Sequence, residues 1–238
     1  MKREIIGAAC GVWLCGAGLS FAQEAGSFLS PVVVELYTSQ GCSSCPPADA
    51  LLAELAEKPG VIPLALHVDY WDYIGWKDEF AHPGFTQRQK SYAKAAGERM
   101  VYTPQMIVDG VARVVGHEPD EVAAAIADAS GVAGPVSLRV RREGGQIVIE
   151  ATANPPLDAP AMVQLVGYRD AAQVDIGAGE NAGLVVEYRN IVTSWERVGL
   201  WSGRVPLVLR ADAPPEGSAV VIVQRQGPAE ILAAAVVD

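Results

Sequence analysis

From Pro31 to Tyr37 the chain reads PVVVELY, an apolar β-branched run holding one carboxylate, Glu35. A run without alternation suits a strand covered on both faces. After a polar turn, PPADALLAELAEK places Leu51, Leu52, Leu55 and Ala56 at helical spacing, with two prolines at its start and Pro59-Gly60 as its stop. Val61 to Val68 (VIPLALHV) is a second apolar strand. Strand, helix and strand of these lengths predict a βαβ unit with parallel strands and a right-handed crossover. An aromatic and acidic loop follows, DYWDYIGWKDEFAHPG, and then a polar helix from Phe85 to Ala96. The stretch VYTPQMIVDGVARVVGHE holds two short apolar runs divided by Asp109-Gly110, a dipeptide that turns hairpins. Pro119 to Ala129 predicts a closing helix, so the order is β-α-β-α-β-β-α.

Beyond Gly131–Pro135 (GVAGP), which has the composition of a linker, the period changes. VSLRVRREGGQIVIEAT alternates around Gly144-Gly145, and AMVQLVGY, LVVEYRNIV, RVPLVLRA and SAVVIVQRQ are further strands separated by turn residues. Helical character is left only for the tail. The pattern predicts an α/β unit over 23–130, the linker at 131–135, and an antiparallel β-sandwich over 136–238.

The amino end changes the cysteine count. Lys2 and Arg3 precede an apolar run from Ile5 to Phe21, and Ser20-Phe21-Ala22 has the small-x-small form of a cleavage site. Residues 1–22 are therefore expected to be a signal peptide, leaving no membrane anchor in the mature chain and placing it in the periplasm or outside the cell. Cys10 and Cys15 leave with this segment, so Cys42 and Cys45 are the mature protein's only thiols, in an oxidising compartment. The formal charge of −10 becomes −11 when Lys2, Arg3 and Glu4, together +1, are removed. Such an acidic chain has no attraction for phosphate backbones, which argues against a nucleic-acid partner.

Cys42 and Cys45 lie in YTSQGCSSCPPAD, between the first strand and the first helix. A helix N-terminus lowers a thiol pKa, and the thiolate is the reactive form. A CxxC that leaves a buried strand and opens a helix within a βαβ unit points to redox chemistry, with Cys42 attacking and Cys45 resolving. In this arrangement the first half resembles a thioredoxin fold. The resemblance implies a cis-proline at Thr103-Pro104, facing the cysteines and helping to bind substrate backbone. It also suggests Glu35, as the counterpart of a buried acid on the same strand, as a proton acceptor for Cys45; a strand-end glutamate paired with an arginine is the alternative. Gly41 stands where thioredoxins carry Trp, and the Ser43-Ser44 pair matches neither a typical reductant nor a strong oxidant, so the direction of electron flow stays open. ELYTSQGCSSCPPAD, HVDYWDYIGWKDEF, YTPQMIVDG and GENAGLVVEYRNIV together resemble exported bacterial proteins grouped as domain-of-unknown-function family 1223, placed among the thioredoxin-like proteins.

Three other readings compete. A disulfide closing a four-residue loop removes only about 2 kcal/mol of chain entropy, a poor staple, although a redox fold reused as a binding module would look the same. A copper chaperone could use the cysteines with a histidine, for which His67 is better placed than His82 or His117. Tyr70, Trp71, Tyr73 and Trp76 follow the second strand, where ligands of parallel sheets bind. Tyr70 and Trp71 could contact a partner polypeptide, or the aromatics could pack against the second half. The reading carried forward is thiol–disulfide exchange on protein or small-molecule thiols and disulfides, with an unidentified redox partner. No organic cofactor is implied, because the cysteine pair itself carries the electrons.

Overall fold

Described here is a computed structural model, covering residues 29–237. The signal-peptide expectation for 1–22, with Cys10 and Cys15, falls outside the described residues. The first half forms β1 (Val32–Thr38), α1 (Pro46–Ala56), β2 (Val61–His67), a 3₁₀ turn (Asp72–Ile74), α2 (Pro83–Ala95), β3 (Gln105–Val108), β4 (Ala112–Val115) and α3 (Pro119–Ala129). The order and nearly all the boundaries follow the apolar pattern. β1 and β2 pair in parallel from Val32↔Val61 to Thr38↔His67, and β3 joins the other side of β1 antiparallel. Asp109 (φ 51°) and Gly110 (φ 75°) turn the β3–β4 hairpin. Both need the left-handed region, which Asp tolerates and Gly adopts freely.

Every residue of β1 is buried. Its even positions, Val32, Val34 and Leu36, pack with Leu52 and Leu55 of α1 and Val122 of α3. Its odd positions, Val33 and Tyr37, face the opposite cluster with Phe85 and Tyr92 of α2. The sheet is thus covered on both faces, as a non-alternating run requires. Each such aliphatic side chain contributes roughly 1.5–3 kcal/mol.

The second half forms β5 (Val136–Glu143), β6 (Gln146–Ala153), β7 (Ala161–Asp175), β8 (Val185–Trp201), β9 (Leu207–Asp212), β10 (Ser218–Arg225) and β11 (Ile231–Val237). Here the structure corrects the sequence reading. The strands of 136–238 do not form a unit separate from the first half. Four of them extend the first-half sheet, giving one eight-stranded mixed sheet in the order β11-β10-β7-β8-β2-β1-β3-β4. Only β5, β6 and β9 form a separate antiparallel sheet, whose Ile147 and Ile149 pack on Val163, Leu165, Val221 and Val223 of the large one. The physical reason lies in β7 and β8, which run for 15 and 17 residues, about twice the length of their apolar cores. Their far ends continue through polar residues, and β8 reaches the edge of β2 at Ala65↔Ile191. The tail is likewise a strand rather than a helix, because it completes the edge of β10.

Candidate functional site

The β1–α1 connection is built around its backbone. Cys42 N–H donates to the Ser39 carbonyl and Cys45 N–H to the Cys42 carbonyl. Cys45 caps α1, with Pro46 and Pro47 filling the first helical positions. Those prolines have no N–H, and the next two amides, of Ala48 and Asp49, both donate to the Cys45 carbonyl. The helix therefore offers Cys42 its dipole but no free amide, which narrows the expectation that the helix end activates this thiol. Cys42 and Cys45 are joined as a disulfide. Both are buried, at 1% and 0% exposure, while Ser43 and Ser44 between them face solvent.

Two distant segments cover the pair. Asn181, itself buried, donates from Nδ2 to the Gln40 and Cys42 carbonyls, at 2.9 Å each. Trp76 Nε1 donates to Gln40 Oε1 at 2.7 Å, its ring lies against Gly177 and its Cβ beside Gly179. At Gly41 a Cβ would come within 3.2 Å of Trp71 Cβ and 3.1 Å of Ile74 Cδ1, so the aromatic loop packs tightly over this glycine. Trp71 Nε1 donates to Thr103 Oγ1 at 2.8 Å, and the Thr103 carbonyl accepts from Ser44 Oγ at 3.5 Å. Thr103-Pro104, a cis peptide, is thereby brought beside the cysteine loop. Tyr70 is half-buried and donates its hydroxyl to Gln89 Oε1 at 3.2 Å, whereas Tyr73 is 81% exposed. Of the sequence-predicted residues, Cys42, Cys45, Thr103, Pro104 and Trp71 thus converge, with Tyr70 packed next to Trp71.

Glu35 does not join them. It lies on the α2 face of β1, among the odd positions, while α1 packs on the even ones. Arg88 grips its carboxylate with Nε and Nη2, both at 2.7 Å. The hydroxyls of Tyr37 and Tyr92 donate to the same carboxylate at 2.9 and 2.7 Å. Gln224 and Gln164 complete the network, and the Arg88 guanidinium stacks over Trp195 at 3.7 Å. Burial and the neighbouring Glu35 push the Tyr37 and Tyr92 hydroxyls well above their ordinary pKa. A carboxylate with four donors is a structural ion pair of the kind that keeps a buried charge tolerable. A cavity of about 600 Å³ opens beside it, lined by Phe85, Arg88, Gln164 and Trp195, and includes no residue of the cysteine site.

A different acid stands behind the cysteines. Asp49 lies four residues after Cys45, on the same helical face, and is 3% exposed. Burial pushes its carboxyl up to about 7, against the pull of His67 and, more weakly, the Thr38 hydroxyl. His67 is fully buried between the rings of Phe80 and Tyr188. Its Nδ1 meets Asp78 Oδ2 at 2.7 Å. Burial alone would raise the Asp78 carboxyl, yet His67 and the Gln40 and Phe80 amides hold it below the usual carboxylate range. Sequence reasoning missed Asp49, Asp78 and Asn181. Asp49 alone carried a local signal, an acid on the apolar stripe of a helix. Among the described residues no three His, Cys, Asp or Glu side chains group as metal ligands. His82 caps α2, and His117 is 3.5 Å from Glu118 at the surface.

Comparison with known proteins adds the following. A family model described as "Protein of unknown function (DUF1223)" matches residues 33–224. A crystal structure of an Agrobacterium tumefaciens protein, a structural genomics target, is 31% identical with a TM-score of 0.76, over 89% of this chain and 95% of that one. HBP35 of Porphyromonas gingivalis shares the fold at 14% identity, with a TM-score of 0.60 over 88% of this chain and 75% of that one. A search of curated proteins found no match.

Proposed function

The chain belongs to the DUF1223 family of proteins of unknown function, and on that premise we propose that it is an exported, thioredoxin-like thiol–disulfide exchange protein. The observation that carries the reading is the placement of the Cys42–Cys45 disulfide. It sits at the head of α1, at the C-terminal ends of two parallel strands, with the Thr103-Pro104 segment beside it. In this reading Cys42 exchanges with the substrate sulfur, Cys45 resolves the mixed disulfide, and Thr103, Pro104 and Trp71 border the substrate path. The burial of both sulfurs requires the cover formed by Trp71, Ile74 and Asn181 to shift when substrate binds. A polypeptide with a disulfide, or a small-molecule disulfide, fits this site.

The test uses the reduced protein and a small aromatic disulfide. The Cys45→Ser protein should accumulate a covalent mixed disulfide on Cys42, seen as an added mass, and Cys42→Ser should form none. If neither wild type nor Cys45→Ser reacts while folded, the exchange reading is wrong. The same burial favours a second reading, in which the pair is a closed structural clip. It predicts that native protein resists reduction by millimolar dithiothreitol.

A further inference from the structure

Among the described residues, every buried side-chain nitrogen or oxygen without a hydrogen-bond partner belongs to four residues: Thr38 Oγ1, Gln40 Nε2, both Asp49 oxygens and His67 Nε2. Native interiors pair such groups, so an unpaired cluster calls for a reason. Three of the four share one place. Thr38 and His67 are register partners at the ends of β1 and β2. Both follow the even-position parity that faces α1, and Asp49 of α1 lies over them, one turn from Cys45. The groups facing Asp49 are Thr38 from β1, His67 from β2, Asp78 from the segment before α2, and Tyr188 from β8. His67 Nδ1 meets Asp78 Oδ2 at 2.7 Å, while its Nε2 has no hydrogen-bond partner. A histidine oriented by a carboxylate, next to a second buried acid, is an arrangement suited to moving protons.

Resting on the exchange reading above, we propose that Asp49 takes and returns the proton of the Cys45 sulfur, and that the buried His67–Asp78 pair absorbs the accompanying charge. The step balances as follows. In the reduced protein, Cys42 thiolate attacks a substrate disulfide, forming a Cys42–substrate bond and releasing one substrate thiolate. Cys45–SH gives its proton to Asp49, and its thiolate attacks the Cys42 sulfur. The Cys42–Cys45 bond forms and the second substrate thiolate leaves, taking the proton that Asp49 holds, while the first takes from solvent the proton that Cys42 gave up on ionising. The protein dithiol loses two electrons and two protons, and the substrate disulfide becomes two thiols. The Thr38 hydroxyl, able both to donate and to accept, faces Asp49 from the strand end that pairs with His67. The inference places the proton path on the α1 face, opposite the Glu35 network.

The experiment separates attack from resolution by stopped flow across pH 5–9, with the reduced full-length protein and an aromatic disulfide. In Asp49→Asn, resolution should slow about 100-fold at pH 7, within the range for a lost proton-transfer group. Its pH midpoint should climb toward ~8.5, the value of an unassisted thiol. Attack by Cys42, measured in the Cys45→Ser background, should not change with the Asn. His67→Gln, which keeps a hydrogen bond to Asp78 but loses the basic nitrogen, should move the resolution midpoint upward while Cys42 attack stays the same. It serves as the independent variant if Asp49→Asn does not fold. Normal mixed-disulfide formation with unaltered resolution profiles overturns this inference alone. No mixed disulfide in any form overturns the exchange reading and this one with it.

Discussion

Replacing Asp49 by Asn should make the protein more stable, and increasingly so as pH rises. The side chain is 3% exposed and neither oxygen meets a donor in full hydrogen-bond geometry. Burial lifts its carboxyl from 3.8 to about 7. Each tenfold rise in proton affinity corresponds to ~1.4 kcal/mol, so holding Asp49 ionised costs the fold at most about 4 kcal/mol. The sign follows from proton counting. Between pH 4 and 7 the folded chain keeps a proton that the unfolded chain has released. Stability is therefore greatest below about 4 and declines as pH rises through about 7. Asn carries no such slope and is nearly isosteric. Asp109, pushed up to about 6 by burial, adds a slope of the same sign to both proteins and cancels in the difference. Allowing for water entry and local relaxation, the variant's advantage should grow by about 2 kcal/mol from pH 5 to pH 8.5. With a urea dependence of ~2 kcal/mol/M, that is about 1 M in midpoint. Urea titrations of both oxidised proteins at the two pH values decide it. An advantage that does not change with pH would refute the reasoning, because it would mean that Asp49 is ionised with equal ease in both states.

Two further outcomes are expected. Arg88→Met should cost about 3–5 kcal/mol by stranding Glu35, while Arg88→Met with Glu35→Gln recovers a large part; urea midpoints measure both, and the cysteine reactivity should not follow. Asn181→Ala removes both donations to the Gln40 and Cys42 carbonyls, so dithiothreitol should reduce the disulfide about tenfold faster, followed by thiol release; an unchanged rate would show that the cover rests on the aromatic loop alone.

The first-half elements were legible because each apolar run matches a period and each end carries Pro, Gly or a turn. The C-terminal strands were legible one by one, but their partners were not. β8 joins β2 through one parallel pair, and nothing in an alternating strand names the edge it will meet. Of the two readings of Glu35, the structure shows the arginine-paired one, and the choice was not legible for a similar reason. A run that is apolar on both faces hides which face each residue takes, and only packing shows that the odd positions of β1 look away from α1. Asp49 could have been found from its place on the apolar stripe with Ala48, Leu52 and Leu55. His67 drew attention as a possible ligand, and its actual partner Asp78 comes from an irregular segment with no periodic signal.

Asn181 has a consequence for how the molecule is made. Its two donations pin the cysteine loop from 139 and 141 residues downstream. Synthesis runs from the amino end, so strand, loop and helix around Cys42 and Cys45 exist as chain well before this part of their cover does. During that interval the two thiols lack the Asn181 half of their cover and are more open to an oxidant. Once the segment around Asn181 arrives, the bond is sealed beneath it. The order of the sequence thus lets the disulfide form early in an accessible chain and be enclosed late in a finished one.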